Sequence, residues 1–76
     1  MLQWSEHKGV FHTYSAKASG IVYPHEGGFH WEIFVGDSLS WHDQAETLES
    51  AINHVEGNFI GRNLRDDLAV SYAEVG

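Results

Sequence analysis

The stretch YSAKASGIVYPHEGGFHWEIFV, residues 14 to 35, constrains the fold more than any other part of the chain. Tyr14, Ala16, Ala18, Gly20 and Val22 alternate with Ser15, Lys17, Ser19, Ile21 and Tyr23; later, Phe29, Trp31, Ile33 and Val35 alternate with His30, Glu32 and Phe34. A period of two is that of a strand, whose successive side chains point to opposite faces. Two such runs around a glycine pair predict an antiparallel hairpin. A four-residue loop His25-Glu26-Gly27-Gly28 sets Val22 against Trp31, Gly20 against Ile33 and Ala18 against Val35, small residues opposite large ones on one face. A second loop, Gly36-Asp37-Ser38, pairs Val35 with Leu39 and Ile33 with Trp41 and adds a third strand. Trp31, Ile33, Val35, Leu39 and Trp41 then belong to the core, and Tyr23 and Phe34 to the other face beside His30 and Glu32.

A helix follows. Leu48, Ala51, Ile52, Val55 and Phe59 recur at helical spacing and form a single apolar stripe able to cover one face of the sheet. Thr47 is the expected N-cap, with Asp43 and Glu46 as an alternative capping box, and Gly61 the expected stop, so the helix is placed at residues 47–60. In the C-terminal segment, Asn63 as a cap and Leu64, Leu68, Tyr72 and Val75 on one side argue for a second helix, while Val70, Ser71 and Tyr72 favour a fourth strand. Residues 1 to 13 carry Leu2, Trp4, Val10 and Phe11 without a clear period and are expected to form an irregular arm or short edge element. The fold class is α+β: one domain over residues 1–76, with an antiparallel sheet of about three strands packed by one helix.

A chain of 76 residues is near the lower limit for a self-sufficient core, and 42% hydrophobic residues suffice to fold it. The charge is distributed unevenly. From residue 18 to residue 61 there is no Lys or Arg but seven carboxylates, Glu26, Glu32, Asp37, Asp43, Glu46, Glu49 and Glu56. The flanks nearly cancel, so the formal charge of −7 resides there. Such a surface repels nucleic acid and attracts basic proteins. The absence of cysteine rules out disulfides and thiolate metal sites and fits a bacterial cytosol. The N-terminus has no apolar signal region, so neither secretion nor membrane insertion is expected.

Six histidines raise the question of a metal, but His25 with His30, and His42 with Glu46, match no zinc motif. His30-Trp31-Glu32 matches half of a deaminase motif whose cysteine half is missing. His42 and Asp43, the one candidate hydrolytic pair, are neighbours on a strand and point apart. No enzyme activity, metal or cofactor is expected.

The acids carry the functional expectation. On a helical wheel Glu46, Glu49, Asn53 and Glu56 share one flank. Capping and the helix dipole account for Glu46 and Glu49 but not for Glu56 in the last turns. Glu49 and Glu56 are about 10 Å apart along the axis, close to three steps of about 3.4 Å along one DNA strand. Glu46, Glu49 and Glu56, with Asp37, Asp43, Asp66 and Asp67, are candidate partner-binding residues that stand in for phosphates in a basic groove.

A small, acidic, cysteine-free chain of strands followed by a helix, with its charge in GDSLSWHDQAETLESAINHVEGNF and LRDD, resembles the phage-encoded anti-CRISPR proteins, most of all the type I-C inhibitors that act as DNA mimics. The resemblance implies a monomeric inhibitor that binds the large PAM-reading subunit of a Cascade complex and does not itself bind nucleic acid. Locally, EGGFHWEIFV followed by AETLESAINHV is similar to HicB-like antitoxins, with Thr47, Glu49 and Ala51 at the matching places. That resemblance implies an alternative, neutralisation of a small toxin.

Overall fold

The computed structural model describes residues 2–65. Five strands, β1 (Ser5–His7), β2 (Val10–Tyr14), β3 (Ala18–His25), β4 (Gly28–Val35) and β5 (Ser38–Ala45), form one antiparallel meander in the order β1-β2-β3-β4-β5, and α1 (Leu48–Gly61) follows. The α+β class and the covering helix are as expected. The sheet is wider than the expected three strands, because residues 5–14 add a hairpin. Its signal was hidden by polar residues on both faces: Phe11 and Thr13 face the helix, whereas Val10, His12 and Tyr14 face away.

The β3–β4 register is the expected one, with Ala18, Gly20 and Val22 opposite Val35, Ile33 and Trp31. The loop is shorter than expected, because His25 and Gly28 also pair and leave Glu26-Gly27 as a two-residue turn. Both turn residues have positive φ, 50° and 82°, as do Lys8 and Gly9 in the β1–β2 turn, at 54° and 83°. This is the turn whose twist matches that of the flanking strands.

Between β4 and β5 the expected three-residue loop is replaced by a two-residue turn. Val35 pairs with Ser38 and Phe34 with Leu39, and a bulge then absorbs Ser40, so that Ile33 still faces Trp41. One inserted residue restores the face of every later side chain. Leu39 is moved off the core face and is 47% exposed, and Val35 at the strand end is 37% exposed. Neither belongs to the core.

The core consists of Ala18, Val22, Trp31 and Ile33 from the sheet, Ala51, Val55 and Phe59 from α1, and Leu64. Leu48 and Ile52 are partly buried against it. The helix crosses closely at Gly20, where an added Cβ would lie 2.8 Å from Val55 Cγ1. On the other flank the arm of residues 2–4 packs along the sheet. Leu2 and Trp4 touch the core, and the buried Thr13 hydroxyl donates to the Gln3 carbonyl at 2.6 Å.

Thr47, not Asp43, caps the helix, and its hydroxyl accepts from Ser50 N–H at 3.1 Å. The stop lies beyond Gly61. Asn63 adopts φ 59°, Leu64 N–H donates to Phe59 O at 2.8 Å and Asn63 N–H to Ile60 O at 3.3 Å, a Schellman ending whose apolar residue, Leu64, is buried. The Lys17 ammonium donates to Asn63 O at 3.1 Å, and Ser15 Oγ to Leu64 O. The helix-or-strand question for the C-terminal segment lies outside the described residues. None of the described helices is long and apolar enough to cross a membrane.

Candidate partner-binding surface

The acidic residues separate into three situations. Glu46 and Glu49 are exposed at the start of α1, on either side of the Thr47 cap. Glu49 in the first turn is favoured by the unsatisfied N–H groups there. Glu46 lies before the helix and not on its flank, so it is not part of the row drawn on the helical wheel. It shares a shallow hollow with Glu26, Gly27, Gly28, Gln44 and Ala45, which brings the β3–β4 turn beside the start of the helix. Asp43, on the adjoining strand, is exposed, and its Oδ1 accepts from Gln44 N–H at 2.7 Å.

Glu56 is different. It is partly buried and its Oε2 accepts from the Trp4 indole N–H at 2.8 Å. This bond ties the N-terminal arm to the helix and answers why an acid stands near the helix C-terminus, where the dipole disfavours it. Asp37 is exposed in the β4–β5 turn, at the opposite end of a hairpin whose eight-residue strands span about 23 Å. It does not join Glu46 and Glu49. Asp66 and Asp67 lie outside the described residues.

The cations are largely elsewhere. Arg62 lies 3.9 Å over the Trp41 ring and its Nε donates to Asn58 Oδ1 at 2.8 Å, and Lys17 reaches Asn63, so both sit at the C-terminal end of α1. Lys8 is at the acidic end but in the β1–β2 turn, three to four strand spacings or about 14–19 Å across the sheet from β5. Among the described residues no Lys or Arg forms an ion pair with Glu26, Glu46 or Glu49; Glu26 lies 3.9 Å from His25 Nε2.

A feature of the helix-free face was not read from the sequence. The register puts His7, His12, His25, His30 and His42, five of the six histidines, on that face with Tyr23, Phe34 and Glu32. The rings of His25 and His30 are 5.8 Å apart and those of His30 and His42 5.6 Å. Glu32 Oε2 accepts from the Tyr23 hydroxyl at 3.1 Å and lies 3.5 Å from His30 Nε2. Burial, and then the hydrogen bond and charge of Glu32, raise the Tyr23 pKa above its ordinary value. His30 Nδ1 is buried without a hydrogen bond. Extending the register through Lys8-Gly9 would have revealed this face. Among the described residues no group of three His, Asp or Glu side chains is placed to hold a metal ion. His42 and Asp43 occupy opposite faces, opposite Glu32 and Trp31 respectively.

No protein-family model, curated protein or solved structure matches this chain.

Proposed function

We propose that this protein is a monomeric acidic inhibitor of the bacterial cytosol. It seats the N-terminal end of α1 in a basic, nucleic-acid-binding groove of a larger protein and excludes DNA from it. The observation that carries this reading is the group of exposed carboxylates Glu26, Glu46 and Glu49, with Asp43 alongside, without a Lys or Arg ion pair among the described residues. A groove built for phosphates binds largely through charge, so carboxylates on a rigid frame compete for it without sequence information. The large PAM-reading subunit of a Cascade complex is the partner that the anti-CRISPR resemblance suggests. Glu56 is set apart from this group, since its carboxylate holds Trp4; Asp66 and Asp67 form a second candidate contact.

The test is competition with a labelled PAM duplex for that subunit. Glu46→Gln with Glu49→Gln weakens displacement of the duplex, Asp37→Asn leaves it unchanged, and added salt weakens it for wild type, because at 0.15 M the electrostatic range is about 8 Å. If the neutralised pair displaces DNA as well as wild type does, these acids serve capping and solubility only.

A further inference from the structure

We propose that the outer edge of β5 is a docking strand for an extended basic segment of the partner, which adds to the sheet as a sixth strand. This rests on the reading above that the target is basic, and adds the backbone contact by which it is gripped. β5 ends the strand order and pairs only with β4, so its outward N–H and C=O groups have no strand beside them among the described residues. An open edge is a template for another strand, the mode by which many domains take extended peptides.

The two edges of this sheet are unequal. β1 is three residues long, a length that limits pairing, whereas β5 has eight and carries neither Lys nor Pro. The bulge at Ser40 interrupts β5 near its start and leaves Trp41–Ala45 as a regular run. Gln44 N–H donates to Asp43 Oδ1, so it points away from β4, and among the described residues its partner is a side chain able to swing aside. The N–H of His42, two residues earlier, points the same way.

Charge selects the occupant. Asp43 lies on the run, Glu46 directly after it and Glu49 in the first helical turn, while Arg62, which reaches β5 at Trp41, is held over that ring and by Asn58. Lysines or arginines alternating along an incoming strand meet carboxylates. A second copy of this chain, paired antiparallel about the middle of the run, would instead bring Asp43 against its own duplicate, at a formal charge of −7 each.

The experiment uses the full chain and, as probe, a blocked peptide of alternating lysine and valine long enough to span the run. Amide hydrogen exchange by NMR should show new protection at His42 and Gln44, absent with a peptide of alternating glutamate and valine. Gln44→Pro removes one outward donor without touching the pairing to β4 and should weaken the lysine peptide by about tenfold, whereas Gln44→Ala should not. Asp43→Lys, which places a cation on the edge, should cause a similar loss and covers the case in which the proline variant does not fold. Lack of protection on β5, unchanged affinity in Asp43→Lys, or dimerisation of the free chain through β5 overturns the proposal. The peptide measurement is independent of DNA competition, so failure of one reading is distinguishable from failure of the other.

Discussion

Gly20→Ala is expected to destabilise the protein through a contact that a second substitution should relieve. The added methyl would meet Val55 Cγ1 at 2.8 Å and Thr13 Cγ2 at 3.2 Å. Both neighbours are almost fully buried, at 0% and 1% exposure, and β-branched, so neither rotates away easily. Overpacking of this kind costs about 1–3 kcal/mol, offset by up to about 1 kcal/mol because alanine restricts the unfolded chain. The net loss, centred on about 1–2 kcal/mol within a range of about 0–3, lowers Tm by about 4–8 °C for each kcal/mol in a domain of this size. Val55→Ala alone should cost about 1.5–3 kcal/mol from two buried methyl groups and the cavity they leave. The pair should lose about 1–2 kcal/mol less than the sum, since the new methyl at position 20 occupies space vacated by Cγ1. Urea unfolding followed by tryptophan fluorescence and far-UV circular dichroism measures all four corners of this cycle. A Gly20→Ala midpoint equal to wild type, or losses that add, would mean that the helix does not cross β3 at this point.

Other consequences are equally specific. Glu26 occupies the left-handed first position of its turn, where asparagine is at ease, so Glu26→Asn should raise stability by about 1 kcal/mol in the same urea assay. Glu56→Ala removes the acceptor of the Trp4 indole and should cost about 1–2 kcal/mol, with a shift in tryptophan emission; the exposed Glu49→Ala should change stability far less. The Tyr23 hydroxyl titrates above its ordinary value in the folded state, so its contribution is intact below about pH 10 and is lost as pH rises through the higher folded value. Tyr23→Phe should therefore flatten the alkaline fall of the unfolding midpoint, and phenolate absorbance should lose a component that titrates above the ordinary tyrosine value.

What could be read from the sequence was what depends on local period. The β3–β4 register followed from Gly20 opposite Ile33 and Ala18 opposite Val35, because only one alignment sets small residues against large ones. The apolar stripe from Leu48 to Phe59 placed the helix in the same way. The first hairpin was missed because Thr13 is buried with its hydroxyl satisfied by a backbone carbonyl, and a polar residue in the core breaks any hydrophobic pattern. The Ser40 bulge was missed because a two-residue turn with an insertion and a three-residue turn both set Ile33 against Trp41. Among the acids, charge count could not separate Glu56, held by an indole 52 positions away in the chain, from Glu46 and Glu49, which face solvent. The histidine face depended on long-range register and became visible only once all five strands were aligned.

The most direct test of the inhibitor reading is titration of the purified chain into a purified large PAM-reading Cascade subunit preloaded with a labelled duplex. Stoichiometric release of the duplex is expected, with a protein–protein complex formed in its place and loss of both in the Glu46→Gln, Glu49→Gln variant while its unfolding midpoint remains that of wild type. Retention of the duplex at saturating chain, or a complex that forms without displacing it, would contradict the account.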